Sequence, residues 1–192
     1  MKIYLIRHGE TEYNRQHLFY GVSDVALNQR GIEQSLLLKE KLQQLTVETP
    51  IYTSELLRTK QTADLIFPQN QHFPLAAFNE KDFGLWEGKN ADEIEALYPV
   101  EWKNWLAEPF TYTSSQAESF QAFQKRVLVG WQQVLKAEKT CVLVIHMGVI
   151  RVIIKHCFPK LNFWDIQLEQ GDYGCLEWRD GVVEMVKWEN KK

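Results

Sequence analysis

No apolar stretch in this sequence approaches the roughly 20 residues needed to cross a bilayer, and no basic segment followed by an apolar one opens the chain. The N-terminus therefore reads as mature structure, not as an export signal, and no membrane partner is expected. An excess of charge of one sign is also missing: 22 basic residues face 25 acidic ones, a formal net charge of −3. That balance argues against a broad surface for nucleic acid or acidic lipid, so any cationic site has to be local. Cysteine is limited to Cys141, Cys157 and Cys175, with no C-x-x-C pair. Such a set is no disulfide framework, and it fits a reducing, cytoplasmic setting. Cys141 heads an apolar run and reads as a small core residue, not as a nucleophile. Repeats and low-complexity segments are absent as well. What is left is a chain of 192 residues, long enough for one domain that buries roughly 70% of its unfolded surface without staples.

Along this chain, strand-like and helix-like stretches alternate. Lys2–Ile6 reads as a buried strand, and Gly31–Leu45 as a helix with Asn28 as a possible cap. Pro50–Thr53 reads as a second strand, and Ser54 as the cap of a helix that runs to Phe67 and stops at Pro68. A third strand is expected over Pro74–Phe78, followed by a turn-rich stretch, Asn79–Gly88. Residues 89–117 break the pattern with two short helices, around Ala91–Tyr98 and Glu101–Ala107, and a Ser/Thr-rich loop. This segment is the candidate lid or cap insertion. Ser119–Glu138 shows one apolar face of Phe120, Phe123, Val127, Trp131 and Val134. Cys141–Ile145 is the strongest buried strand, Val149–Phe158 returns to helix, and Cys175–Trp178 with Val182–Trp188 reads as a hairpin around Asp180-Gly181. The expected fold is α/β: a three-layer, open, mostly parallel sheet with helices on both faces and a small helical lid.

Open α/β sheets bind ligands beyond the carboxyl ends of their strands. Arg7 and His8 follow the first strand, Arg58 lies early in the helix after the second, Glu80 follows the third, and His146 follows the fourth. Four strands thus deliver polar groups to one edge, and the set suits phosphoryl chemistry. Arg7 and Arg58 supply planar donors that stay charged. Asn14 and the backbone N–H groups near Gly9 and Gly21 could add neutral donors. One imidazole can act as nucleophile and the other can donate a hydrogen bond to a phosphoryl oxygen, while Glu80 is placed to protonate the leaving oxygen. Neighbouring guanidinium groups would lower the imidazole pKa and keep it neutral. Asp82, Glu87 and Glu10 are the competing carboxylates, and His17, His72 and His156 read as surface or structural.

Arg7-His8-Gly9-Glu10-Thr11 with Asn14 resembles the opening motif of the histidine phosphatase (phosphoglycerate-mutase-like) superfamily. The spacing of Gly21, Asp24, Leu27 and Gly31, the stretch Ser54–Ala63, the loop Glu80–Gly88, Glu118-Ser119-Phe120, Arg126-Val127 and His146–Arg151 are similar to that family in the same order. Ala26, Ala117 and Met147 depart from its usual proline, glycine and small residue. The resemblance implies His8 as the phosphorylated nucleophile and Glu80 as the proton donor. It implies Arg7, Arg58, Asn14 and His146 as the phosphate pocket; beside it, Gly21 and Met147, each with a backbone N–H to offer, are the further candidate substrate-binding residues.

The short length favours hydrolysis over mutase chemistry. Glu118–Phe120, the Phe123/Arg126-Val127 helix and Gln170-Gly171 are most similar to the cobalamin-pathway branch that acts on α-ribazole 5′-phosphate. A broad-specificity phosphatase and a phosphoglycerate mutase are the alternatives within the family. The aromatics Trp86, Tyr98, Trp102, Trp105, Phe110 and Tyr112 are expected mainly to pack the lid, with one or two, Trp102 or Trp105, left to stack on a flat ring. A metallohydrolase built on His8, His146, Glu80 and Asp24 would place a divalent cation beside two arginines and lacks paired ligand spacing on a helix. No metal or cofactor is therefore expected. A non-catalytic phosphate-binding module would have no need of both nucleophile and acid. The expected partner is a small phosphorylated metabolite; a homodimer is left open, and so is a substrate role for Glu118 and Arg126.

Overall fold

The computed structural model describes residues 1–179 and 181–188. The elements in chain order are β1 (Lys2–Arg7), α1 (Glu12–Arg15), α2 (Gln29–Lys41), β2 (Ile51–Thr53), α3 (Leu57–Ile66), β3 (His72–Pro74), α4 (Ala91–Leu97), α5 (Pro99–Ala107), α6 (Phe120–Lys136), β4 (Cys141–Ile145), α7 (Met147–Cys157), β5 (Tyr173–Arg179) and β6 (Val182–Lys187). Two 3-10 turns, Ala76–Phe78 and Gly84–Trp86, precede α4. Among the described residues the strands form one sheet in the order β3-β2-β4-β1-β5-β6. The first four strands are mutually parallel, and β5 and β6 close the far side as an antiparallel pair. The expected α/β architecture is what the chain adopts.

Side chains alternate across a strand, and here both alternating sets are apolar. Ile3, Leu5, Leu143 and Ile145 pack under α6 and α7 with Phe123, Val127, Trp131 and Val149. Tyr4, Ile6, Val142 and Val144 face the opposite way, onto Leu38 and Leu42 at the end of α2 and Ala63 and Ile66 of α3. Each fully buried Val, Leu or Ile contributes roughly 1.5–3 kcal/mol relative to exposure, so β1 and β4 are the sheet's anchors. Three layers follow from continuous apolar runs with nowhere to turn a polar face.

Local signals account for most element boundaries. Asn28 caps α2, its side chain accepting from the Gly31 N–H at 2.9 Å. Pro99 occupies the first turn of α5, where its missing N–H costs nothing, so this helix begins before the expected Glu101. The hairpin forms with Gly181 at φ +82, while Asp180 lies outside the described residues.

Two expectations need correction. The third strand is His72–Pro74, not Pro74–Phe78. After Leu75 donates to the Thr53 carbonyl, Ala76–Phe78 winds into a 3-10 turn; Ala-Ala has little strand preference, and the turn buries Phe78 against α6. Ser54 is not the cap of α3: Leu56 occupies that position without a side-chain cap bond, and the Ser54 hydroxyl is turned toward His146.

Candidate active site

Parallel pairing of β1 with β4 sets Arg7 opposite Ile145, so the next residues, His8 and His146, emerge side by side. Their ring centroids are 5.1 Å apart. Both imidazoles are nearly sealed, at 4% and 1% exposure. His8 Nδ1 lies 2.8 Å from the Gly9 carbonyl oxygen. A carbonyl can only accept, so Nδ1 carries the proton and Nε2 keeps its lone pair. Burial, then Arg58 and Arg7, push the His8 pKa well below its ordinary value, against a smaller opposing effect of the Gly9 hydrogen bond. His8 is a neutral imidazole in a cationic surround, which suits a nucleophile aimed at an anion.

Arg58, 1% exposed, is held on three sides. Its Nη2 donates to the Gly21 carbonyl at 2.7 Å, Nη1 to the Ser23 carbonyl at 2.8 Å, and Nε to His146 Nδ1 at 3.3 Å. The Tyr20 ring lies under the guanidinium, 4.6 Å to its centroid. Three of the five N–H groups of an arginine are thereby engaged and two are left over. Arg7 donates Nη1 to the Leu168 carbonyl at 2.9 Å, and its buried Nε has no partner. An unpaired buried donor is costly, and a guanidinium left partly unpaired in a pocket is complementary to an anion.

Glu80 reaches the same place after the 3-10 turn. Its Oε1 accepts from the Lys81 N–H and its Oε2 from the Gly148 N–H, each at 2.9 Å, so the carboxyl rests on the first turn of α7. Gly148 makes this possible, since a Cβ there would lie 2.3 Å from Glu80 Oε1. Asn14 turns its Oδ1 toward the Tyr20 hydroxyl at 2.8 Å and the Thr11 N–H at 3.1 Å. That orientation leaves the amide NH₂ without a protein partner among the described residues.

Arg7, His8, Asn14, Arg58, Glu80, His146 and Met147 all line one cavity of about 420 Å³. Glu80 is the sole carboxylate among its lining residues. Glu87 instead accepts from the N–H groups of Gly21 at 2.7 Å and Ser23 at 3.1 Å, Asp82 from that of Gly84 at 2.7 Å, and Asp24 from that of Leu57 at 2.6 Å. The expected backbone donors are likewise engaged: Gly9 donates to Thr62 Oγ1 at 3.0 Å. Gly21 lies off the cavity wall, and its part is to present a carbonyl to Arg58. His146 donates Nε2–H to Ser54 Oγ at 2.8 Å and accepts from Arg58 at Nδ1, so both ring nitrogens are engaged with protein groups. Its pKa is pushed well below the ordinary value by burial first and Arg58 next. Glu118 and Arg126 bond to each other and line neither this cavity nor the next.

A second cavity of about 310 Å³ opens beside the first and shares Phe19, Tyr20, Glu80, Phe83, Met147 and Arg151 with it. Its remaining wall is largely aromatic: Trp105, Phe110, Phe120, Phe123, Phe163 and Trp164. Trp102 stacks on Trp105, centroids 5.4 Å apart and planes 18° apart, and lines neither cavity. Trp86 is fully buried. Sequence reading missed Tyr20, Arg151, Phe163 and Trp164; two adjacent aromatics in the loop after α7 were the available signal. It also set aside His17, which lines the cavity with φ +55.

The family model described as the histidine phosphatase superfamily, branch 1, matches residues 3–191. The chain belongs to the histidine phosphatase superfamily. Among curated relatives, adenosylcobalamin/alpha-ribazole phosphatase of Salmonella typhimurium is 28% identical over 192 residues, covering 96% of this chain and 94% of that protein. Phosphoserine phosphatase 1 of Hydrogenobacter thermophilus is 28% identical over 92% of this chain and 86% of its own. The solved alpha-ribazole phosphatase of Shigella flexneri superposes with a TM-score of 0.91 at 25% identity, covering 100% of this chain and 96% of that one. The family and the phosphatase names of these relatives make this chain a phosphatase, and the solved neighbour shares its fold. No helix among its described residues is long and apolar enough to cross a membrane.

Proposed function

We propose that this chain hydrolyses a small phosphomonoester bearing a flat ring, foremost α-ribazole 5′-phosphate, through a phosphohistidine at His8 and without a metal. The observation that supports it best is the continuity of the two cavities: a nucleophile between guanidinium groups at one end, and an aromatic trough beginning at the same Glu80 and Arg151. The curated relative that acts on alpha-ribazole phosphate, matched over nearly its full length, points the same way.

The chemistry runs in two displacements. His8 Nε2 attacks phosphorus, and the bond to the ester oxygen breaks as Glu80 gives that oxygen a proton. Arg7, Arg58 and the Asn14 amide hold the three equatorial oxygens, where charge is spread in the transition state. Water then attacks the phosphohistidine, Glu80 takes its proton, and inorganic phosphate leaves with His8 restored. His146 keeps Arg58 in place; donation from His146 to a phosphoryl oxygen would require it to release one of its present partners. The two guanidinium groups supply the charge stabilisation that a divalent cation gives elsewhere, and would repel such a cation.

A panel of esters tests this reading, run in excess chelator: α-ribazole 5′-phosphate, nucleoside monophosphates, phosphoserine, 3-phosphoglycerate and a simple alkyl phosphate. The ribazole ester should show the highest kcat/KM, and chelation should leave it unchanged. A higher value for phosphoserine or 3-phosphoglycerate would make the aromatic trough packing only. Activity lost to chelator and restored by one divalent metal would overturn the mechanism.

A further inference from the structure

We propose that Arg126, paired with Glu118, is the positioning residue for the general acid: it fixes the backbone of Glu80 and thereby sets where the carboxyl meets the leaving oxygen. This rests on the reading of Glu80 as that acid. The 3-10 turn before Glu80 is three residues long and closes on one carbonyl of its own, that of Ala76, which accepts from the Asn79 N–H at 3.1 Å; the carbonyls of Ala77, Asn79 and Glu80 need donors from elsewhere. Arg126, projecting from α6, supplies the donors. Its Nη1 donates to the Asn79 carbonyl at 2.6 Å and the Ala77 carbonyl at 3.1 Å, and its Nη2 to the Glu80 carbonyl at 2.9 Å.

The same guanidinium forms a two-point pair with Glu118, Nε to Oε1 at 2.7 Å and Nη2 to Oε2 at 2.8 Å. Planar, bidentate pairing fixes its orientation, and the Phe123 ring beneath it, 4.9 Å to the centroid, fixes its depth. Glu118 is anchored in turn through its own N–H, which donates to the Asp82 carbonyl at 3.1 Å. Both partners are largely shielded, at 27% and 18% side-chain exposure, and neither lines the phosphate cavity or the aromatic one beside it. The pair therefore acts on the acid loop and not on substrate.

Glu80 is thus held at two independent points, its carboxyl by the N–H groups of Lys81 and Gly148 and its backbone by Arg126. Releasing the second would let the carboxyl drift while the phosphate pocket stays intact. Small misplacements of this kind are costly in rate.

The test compares wild type, Arg126→Ala, Glu80→Gln and the double variant on an alkyl phosphate and on p-nitrophenyl phosphate, whose leaving group needs little protonation. Arg126→Ala should lower kcat/KM on the alkyl ester about tenfold or more, a share of the roughly 10²–10⁴ a positioned acid supplies. On p-nitrophenyl phosphate kcat/KM should be nearly spared, because it reports the first displacement, where only leaving-group protonation is impaired; the second displacement, with Glu80 as base, is common to both esters and enters kcat alone. The double variant should be no slower on the alkyl ester than Glu80→Gln, and Arg126→Lys should recover part of the loss. If Arg126→Ala does not fold, Glu118→Gln carries the same comparison. Losses that multiply in the double variant, or that fall equally on both esters, overturn the proposal. If Glu80→Gln is itself indifferent to the leaving group, the reading of Glu80 fails and takes the proposal with it. If Glu80→Gln is selective and Arg126→Ala and Glu118→Gln are not, the proposal alone fails.

Discussion

Mild acid should destabilise this protein through two imidazoles that the fold holds neutral. His8 and His146 are both buried, and for each, burial followed by Arg58 pushes the pKa well below the ordinary value of 6.5. In the unfolded chain both return to about 6.5. Below that pH the unfolded state binds protons that the folded state refuses, so stability is complete above about 6.5 and falls as pH drops toward the depressed folded values. Each such proton is worth about 1.4 kcal/mol per pH unit, so the pair gives a limiting slope of about 2.7 kcal/mol per unit. Against a typical total of about 5–15 kcal/mol, one to two units of acidification would remove a large share. Denaturant titrations at about pH 7.5, 6.5 and 5.5 measure this slope, and His8→Asn should roughly halve it by removing one of the two protons. A wild-type stability flat across that range would refute the reasoning. So would a His8→Asn slope equal to that of wild type. The same depression carries to catalysis: the acid limb of kcat/KM should lie below pH 6.5, the ordinary histidine value.

Gly148→Ala should leave the fold intact and impair the acid, because its Cβ would lie 2.3 Å from Glu80 Oε1 and the flexible carboxyl is what must move. Thermal unfolding should shift little while kcat on an alkyl phosphate drops by about tenfold or more; wild-type kcat would mean that the carboxyl's seat on α7 is dispensable. Trp164→Ala should raise KM for a ring-bearing ester by about two- to twelvefold, the value of a lost aromatic contact, and leave a small alkyl phosphate unchanged. Equal effects on both esters would reduce the trough to packing.

The site was legible where it is written in contiguous motifs, and obscure where it depends on which distant atoms meet. Arg7-His8 and His146-Met147-Gly148 follow strands whose apolar runs identify them, and parallel pairing then forces the two histidines together. Arg58 could be placed by its motif, yet the Gly21 and Ser23 carbonyls that hold it, 37 and 35 residues away in sequence, have no local signature. For the same reason Gly21 looked like an N–H donor, although its N–H belongs to Glu87. The third strand was misplaced because Pro74-Leu75-Ala76-Ala77-Phe78 is apolar in either conformation, and only packing of Phe78 against α6 decides. The aromatics between Trp86 and Tyr112 could be counted from the sequence. Which of them stack on each other, as Trp102 does on Trp105, and which face a cavity is a matter of tertiary geometry.

The central claim is that phosphate passes through His8. Rapid quench of wild type with ³²P-labelled ester into alkali, followed by peptide mapping, should find an acid-labile phosphate on the peptide that contains His8, and His8→Ala should fold normally and trap none. Label on a serine or cysteine, or turnover that persists in His8→Ala, would contradict the account.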